Sequence, residues 1–350
     1  MVLPPCRPYL PPEWAPQSGV LLTWPHAHSD WAPILARVEP VFVEIAAAVA
    51  RVETVLIACH DEAHRLQVAA RLRTAGVSET ACRIYVVPSN DTWARDHGPI
   101  TVLCQADATL LDFGFNGWGG KFAHNLDDTV TRRLHAQHAF GPTPLEHVDL
   151  ILEGGSIEVD GCGTLLSTER CLLSATRNPR LTRTQIEKKL SELLGVTRFL
   201  WLKNGYLAGD DTDSHIDTLA RLCDANTIAY VACDDPADEH YVELKAMEEE
   251  LGAFRTAAGQ AYRLVPLPWP RAKFDDDGAR LPATYANFLI INNTVLVPTY
   301  RDGADDKALA ALRRCFPDHS VVGIDCLPLI TQHGSLHCVT MQLPVGVLPA

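Results

Sequence analysis

The amino-acid sequence predicts an α/β protein that forms a single domain over residues 1–350. Four polar turns, each flanked by alternating apolar residues, recur at intervals of roughly 55 to 70 residues. Segments of helical pattern and length fill the gaps between these turns. No stretch rich in Gly and Ser or in Pro divides the chain. We therefore expect repeated units of a strand hairpin and a helix within one domain.

The helical segments are predicted from apolar periodicity and from residues that start and stop helices. They cover residues 33–51, 60–76, 125–138, 181–194, 238–257 and 305–315. In the fourth segment, Thr184 and Glu187 have the spacing of a capping box, and Gly195 is typical of a helix end.

The hairpin turns and the polar stretches near them are the second repeated feature. The turns read QADAT (105–109), DGCG (160–163), DANT (224–227) and INNT (291–294). The polar stretches read NDTWARDHGP (90–99), EGGS (153–156), DTDSHID (211–217) and QHGSLHC (332–338). Because equivalent ends of repeated units lie together, we expect these stretches to converge on one axis.

Composition and charge narrow the class of protein. The net charge is −13, from 30 basic and 43 acidic residues, which argues against nucleic acid or anionic membranes and favours a cationic ligand. The longest apolar run, residues 41–59, contains Glu44, Arg51 and Glu53, so it is not predicted to span a membrane. The first 14 residues contain no apolar core of a signal peptide, so we expect a cytoplasmic protein, with a homo-oligomer possible.

Eleven cysteines are present, and no two have C-x-x-C spacing, so the pattern predicts neither a disulfide framework nor a zinc knuckle. No cofactor and no metal are expected. Cys338 has the best claim to reactivity, because a Gly-containing turn introduces it and His337 precedes it. Cys338 and Thr340 would share one face of a strand. A buried structural cysteine is the alternative.

His215 and Asp217 are two residues apart, so on a strand they would project from the same face. An imidazole beside a carboxylate suits acid–base chemistry. The alternatives are a hydrogen-bonded core histidine and a metal site formed by His215, Asp217 and Cys338.

Aromatic and acidic residues are combined in two further segments. Trp93 and Asp96 lie in NDTWARDHGP, where stacking and charged hydrogen bonding together suit a flat cation. Glu153 meets two glycines that allow a ligand to approach the backbone, and Trp118 lies among glycines in FGFNGWGGK. A solvated loop, a strand end and a buried anchor are the simpler interpretations.

Together, DTWARDHGP, FNGWGG, LEGGS, DTDSHIDTLAR and GSLHCVTMQLP resemble the agmatine deiminase family, related to the Porphyromonas-type peptidylarginine deiminases of the guanidino-group-modifying superfamily. The similarity runs from about residue 14 to residue 344. It implies a five-bladed pseudo-symmetric α/β propeller of the pentein type. It also implies roles for five residues: Cys338 as nucleophile, His215 as acid and base, and Asp96, Glu153 and Asp217 as carboxylates around a guanidinium.

The resemblance further implies hydrolysis of agmatine to N-carbamoylputrescine and ammonia through a covalent thiouronium intermediate. Asp211 is the candidate partner of the substrate's terminal amine, with Trp93 and Trp118 as walls of the pocket. Ser214 and His333 depart from the family pattern, where glycine is common. A free-arginine or peptidylarginine deiminase is the alternative, with Arg95 as a possible carboxylate partner, and a non-catalytic guanidine or polyamine binder is a third hypothesis.

Overall fold

A computed structural model describes residues 7–349. The helices in this range are α1 (Leu35–Val49), α2 (Glu62–Thr74), α3 (Ala94–His97), α4 (Gly117–Gly120), α5 (Val130–Ala136), α6 (Glu169–Leu172), α7 (Arg183–Leu194), α8 (Tyr241–Ala253) and α9 (Asp305–Cys315). All six predicted helices are present, several of them a few residues shorter than expected. The helix α9 has two acidic residues in its first turn and two arginines in its last, which suits the helix dipole.

The strands are β1 (Gln17–Thr23), β2 (Thr54–Cys59), β3 (Cys82–Val86), β4 (Ile100–Cys104), β5 (Asp107–Gly114), β6 (Leu145–Ile151), β7 (Glu158–Val159), β8 (Thr164–Thr168), β9 (Arg198–Leu202), β10 (Ala220–Asp224), β11 (Thr227–Val231), β12 (Arg263–Leu267), β13 (Lys273–Phe274), β14 (Arg280–Leu281), β15 (Leu289–Ile291), β16 (Thr294–Thr299), β17 (Ser320–Asp325) and β18 (Thr340–Pro344). All four predicted hairpins are confirmed as β4–β5, β7–β8, β10–β11 and β15–β16.

One strand pattern occurs in five sheets of the described chain. In each, a central strand pairs antiparallel with the strand before it and parallel with the strand after the next helical connection. The fifth sheet pairs β18 with β1 antiparallel and β1 with β2 parallel, so the two ends of the described chain meet in one sheet. The pair β13–β14 forms a small separate sheet. The predicted repeat of supersecondary units is therefore present, in a mixed α/β fold.

Two local predictions need correction. The capping box of α7 is formed by Thr182 and Gln185, two residues before the predicted pair, because Thr182 has the extended backbone of an N-cap and Gln185 Oε1 accepts its backbone N–H at 2.8 Å. Gly195 does end this helix, with a left-handed φ of 69°. Cys104 is disulfide-bonded, which the spacing of the cysteines did not predict.

No helix among the described residues is both long and apolar enough to cross a bilayer. Apolar side chains from the sheets and helices form three buried clusters, so the polar segments before the hairpins are held between packed elements. This packing fixes the position of the candidate site.

Candidate active site

The polar stretches predicted to converge do so, and each enters from the segment just before the first strand of a sheet. Asp96 precedes β4, Glu153 precedes β7, His215 and Asp217 precede β10, and Cys338 precedes β18. The fifth segment, before β15, contributes a residue that sequence reasoning missed, described next. The residues of the candidate active site therefore come from equivalent positions of the repeated unit.

Asn287 is this missed residue. Its side chain is buried, with Nδ2 3.3 Å from Cys338 Sγ and 3.2 Å from Asp217 Oδ2. Its Oδ1 accepts the backbone N–H groups of His337 at 2.9 Å and Cys338 at 3.3 Å. The available signal was a lone amide side chain within the aromatic and apolar segment YANFLII (285–291).

Cys338 lies at a cavity of about 130 Å³. It occupies a turn before β18, so the predicted strand position is wrong: the strand begins at Thr340, whose N–H donates to the His337 carbonyl at 3.0 Å. Sγ lies 3.7 Å from Asp217 Oδ2. Burial, with the charges of Asp217 and Asp96, raises the pKa of the Cys338 thiol well above its usual value. These surroundings therefore favour a protonated Cys338 thiol.

His215 and Asp217 also lie outside a strand. The backbone forms a 3-10 turn over Ile216–Thr218, after two residues with left-handed φ, Asp213 at 66° and Ser214 at 67°. Left-handed backbone favours glycine, which explains why glycine is common at the position of Ser214. The strand β10 begins only after this turn, because the turn is fixed by Asp210, which accepts the Ser214 N–H at 2.6 Å.

The imidazole of His215 lies between two carboxylates. Nδ1 is 3.6 Å from Asp96 Oδ1, and Nε2 is 3.7 Å from Glu153 Oε2. Burial opposes a charge on this ring, but Asp96, Cys171 and Glu153 together outweigh burial, so the pKa of His215 stands well above its usual value. The ring is therefore an imidazolium near neutral pH and can act as an acid.

Gly155 packs closely against this histidine. A Cβ atom built on Gly155 would lie 2.6 Å from His215 Nδ1, 2.9 Å from Asp96 Oδ1 and 3.2 Å from Asp217 Oδ2. Asp96 is fixed here by hydrogen bonds from the Gly155 N–H at 3.0 Å and from Trp118 Nε1 at 2.9 Å. The lack of a side chain at Gly155 thus lets the imidazole and the two carboxylates lie close together.

The surroundings of Asp96 shift the pKa of its carboxyl group. Burial, together with the negative charges of Asp217 and Glu153, raises the pKa of Asp96 to about 6, although His215 acts in the opposite direction. A bound cation would favour the ionised carboxylate, because opposite charges at close range lower the pKa of an acid.

Glu153 contacts Arg177 and His215 and does not line the cavity. Arg177 Nε lies 3.1 Å from Glu153 Oε1 and 3.2 Å from Oε2. Burial raises the pKa of Glu153, but His215 and Arg177 outweigh it and the pKa is lowered. The residue is thus an ionised support behind His215, on the side away from the cavity. No sequence signal had pointed to Arg177.

Three possible metal ligands lie within 4.8 Å of one another in the described chain. They are Glu153, Cys171 and His215. This set shares only His215 with the predicted alternative of a metal bound by His215, Asp217 and Cys338. The Arg177 guanidinium already pairs with Glu153, and its positive charge opposes a cation at the same place.

Trp93 and Trp118 line the cavity as predicted for its walls. Their ring centroids are 6.4 Å apart at an angle of 76°. Trp93 packs over Gly334, where a Cβ atom would lie 2.2 Å from the ring. Aromatic faces on the wall of the cavity suit a flat or cationic group.

The outer part of the cavity is acidic. The lining aspartates are Asp30, Asp91, Asp96, Asp210 and Asp211. No lysine or arginine occurs among the described residues that line it. The side chain of Asp211 is 41% exposed, and its Oδ2 lies 3.9 Å from His333 Nδ1. Arg95 is buried away from the cavity, where Nη2 is 3.6 Å from Glu13 Oε2. It therefore does not pair with a carboxylate in the cavity.

A model of the Porphyromonas-type peptidyl-arginine deiminase family matches residues 9–344. The chain belongs to this family. The match confirms the family that the motifs predicted and, with it, the prediction that the chain is an enzyme of the deiminase class.

Relatives with names support the same assignment over nearly the whole chain. An agmatine deiminase of Stutzerimonas stutzeri is 34% identical, covering 96% of this chain and 95% of its own. A cysteine-to-serine variant of a C. jejuni agmatine deiminase, with substrate bound, is similar in structure with a TM-score of 0.89 and 36% identity, covering 98% of each chain. A Porphyromonas gingivalis protein, provisionally named an arginine deiminase, has a TM-score of 0.90 and 51% identity, covering 98% of this chain and 100% of its own.

Proposed function

We propose that the chain hydrolyses agmatine to N-carbamoylputrescine and ammonia. The observation that carries this proposal is the cavity lined by Cys338, Asp96, Trp93 and Trp118, with the His215 imidazole 3.6 Å from Asp96. A guanidinium fits this charge pattern, and the acidic mouth of the cavity suits a second cation at the far end of the substrate. The relatives named agmatine deiminase support this choice.

In the first half-reaction, the substrate's positive charge offsets the burial and the negative charges that oppose the Cys338 thiolate, and the thiol proton passes to solvent because His215 already carries one. Sγ attacks the guanidinium carbon and gives a neutral tetrahedral adduct. The His215 imidazolium then donates a proton to the departing nitrogen. Ammonia leaves, and a cationic thiouronium remains bonded to Cys338. Asp96 and Asp217 hold the positive charge of the planar group during attack.

In the second half-reaction, His215 has lost its proton and can accept one from water. The hydroxide adds to the thiouronium carbon. As this adduct collapses, Sγ leaves as thiolate and the hydroxyl proton passes to solvent, which gives the neutral ureido product. Glu153, itself held by Arg177, keeps the His215 ring in place through both steps. Acid and base catalysis by one histidine therefore accounts for the proton transfers to ammonia and from water.

Free arginine is the second candidate, because the P. gingivalis relative is provisionally named an arginine deiminase. Its α-carboxylate would meet several aspartates at the mouth and no basic side chain among the described lining residues. An anion buried beside like charges and without a partner is costly, so agmatine is the preferred substrate. Peptidylarginine stays as the remaining hypothesis.

A panel of agmatine, arginine, a peptidyl-arginine and guanidinobutyrate, assayed for ammonia and ureido product, tests the proposal. We expect agmatine to exceed arginine by at least about 100-fold in kcat/KM. Cys338→Ala should abolish turnover and keep substrate binding. Wild-type activity in that variant would refute the covalent mechanism, and a preference for arginine would refute the substrate.

Asp211 is the proposed partner of the distal ammonium because it lines the mouth. Asp211→Asn should weaken agmatine use more than that of an uncharged alkylguanidine of equal length. An equal effect on both substrates would assign Asp211 to the turn alone.

Five further expectations complete the proposal. The five sheets with one strand pattern would be the five blades of a pseudo-symmetric propeller, supported by the pairing of β18 with β1. A cytoplasmic location stays a prediction, because nine described cysteines are free but Cys104 is disulfide-bonded. A single domain over residues 1–350, a possible homo-oligomer and the lack of a nucleic-acid partner stay predictions.

A further inference from the structure

His337, the residue before the nucleophile, has a role that neither half-reaction assigns to it. Its side chain is 2% exposed, and it is not among the residues that line the cavity. Nδ1 lies 2.7 Å from Asp217 Oδ2, and Nε2 lies 2.7 Å from Glu13 Oε2. A ring held at both nitrogens by two buried carboxylates has a single orientation.

Glu13, at one end of this row of hydrogen-bonded side chains, is a fixed anion. Oε1 accepts the Ile290 N–H at 2.7 Å, and Oε2 lies 2.9 Å from Arg221 Nη2. Burial alone would raise the pKa of Glu13, but Arg221 and His337 hold it well below its usual range. An ionised carboxylate only accepts hydrogen bonds, so Nε2 of His337 carries a hydrogen.

The Asp217 end borders the reacting groups. The oxygen that contacts His337 is Oδ2, and the same atom lies 3.7 Å from Cys338 Sγ and 3.2 Å from the Cβ position above Gly155. Asn287 Nδ2 also donates to it at 3.2 Å. The position of one oxygen atom, at the boundary of the thiol and the space for the guanidinium, thus depends on two fixed donors.

We propose that His337 is a positioning residue that acts through Asp217, with Glu13 as its far anchor. The hydrogen bond between Nδ1 and Oδ2, at 2.7 Å, acts together with the one from Asn287 to hold this oxygen next to the Cys338 thiol. This inference rests on the proposed function, because it concerns the same site.

Two substitutions of similar size separate the two ends of the ring. In His337→Asn, the amide nitrogen takes the place of Nδ1 and still donates to Asp217. In His337→Gln, it takes the place of Nε2 and donates to Glu13 instead. We expect the Asn variant to stay within about threefold of wild-type kcat/KM for agmatine and the Gln variant to lose about 10- to 100-fold, the effect of one charge-assisted hydrogen bond. Equal loss in both variants, or none in either, would overturn the proposal.

Alkylation of Cys338 gives a readout that does not depend on agmatine being the substrate. An α-haloacetamidine carries a planar cation, whereas iodoacetamide is neutral. His337→Gln should slow alkylation by the cationic reagent about tenfold more than alkylation by the neutral one, because only the cation uses Asp217. An equal slowing would indicate a purely structural role and overturn the proposal. Failure of the proposed function would instead appear as wild-type protein that does not turn over agmatine.

Glu13→Gln keeps the inference testable if His337→Gln does not fold, which thermal melting of each variant determines. A neutral side chain at Glu13 weakens the hold on Nε2 and leaves every group that borders the cavity unchanged. We expect a loss of about 3- to 10-fold in kcat/KM, with the same selective slowing of the cationic reagent. Wild-type kinetics with both reagents would refute the anchor role of Glu13.

Discussion

Replacing Gly155 by alanine tests the site without altering any charge. The new Cβ would lie 2.6 Å from His215 Nδ1, whereas ordinary contact begins at 3.4 Å, so the ring must retreat by about 0.8 Å. Gly155 has no positive φ, so the backbone accepts alanine. A displacement of about 1 Å at reacting groups can lower a rate about 100-fold. We expect kcat/KM for agmatine to fall at least about 100-fold.

Steady-state release of ammonia and thermal melting, measured together, provide the test. Overpacking costs roughly 1–3 kcal/mol of stability, so the variant should still fold. Gly303→Ala is the matched control, because nothing lies within 4 Å of a Cβ atom there. We expect the control to match wild type in both measurements. Wild-type kcat/KM in a folded Gly155→Ala variant would show that the reaction does not depend on the position of the His215 ring.

Three further predictions concern the walls and the charge of the cavity. Gly334→Ala would bring a methyl group to 2.2 Å from Trp93 and displace this wall, so KM for agmatine should rise about tenfold; an unchanged KM would remove Trp93 from substrate contact. Ser214→Gly relieves a left-handed φ of 67° and should raise the free energy of unfolding by up to about 1 kcal/mol in urea titrations, whereas a decrease would show that Ser214 is not strained. Burial raises the pKa of Asp96 to about 6, and cation binding requires the carboxylate. Protonation below pH 6 should therefore lower kcat/KM about tenfold per pH unit, and a flat acidic limb down to pH 5 would contradict this assignment.

The residue types of the site were predictable from the sequence, but their partners were not. Cys338, His215 and Asp217 lie in short polar motifs, so the sequence indicates them directly. Arg177 and Asn287 lie in segments without such a pattern, and their roles come from contacts with Glu153 and Cys338 across the fold. Contacts between residues far apart in the chain depend on how the sheets pack, which local patterns do not encode.

The backbone of the motifs was also decided by tertiary context. Period-two reasoning placed His215 and Asp217 on one face of a strand, and the structure has a 3-10 turn there. Both side chains still reach the same space, because Asp210 and two left-handed residues fix the turn before them. The inference about proximity was therefore right for a reason other than strand geometry.

The sequence by itself determined the repeated hairpins, the six longer helices, the family and the acidic character of the protein. Each of these follows from local periodicity, turn chemistry, charge or an ordered set of motifs. Only the tertiary structure decided that five segments before five sheets meet, that Glu153 supports His215 from behind, and that His337 connects Glu13 with Asp217. The physical reason is that hydrogen bonding and burial act through space, so the charge and orientation of each group depend on neighbours that are distant in sequence.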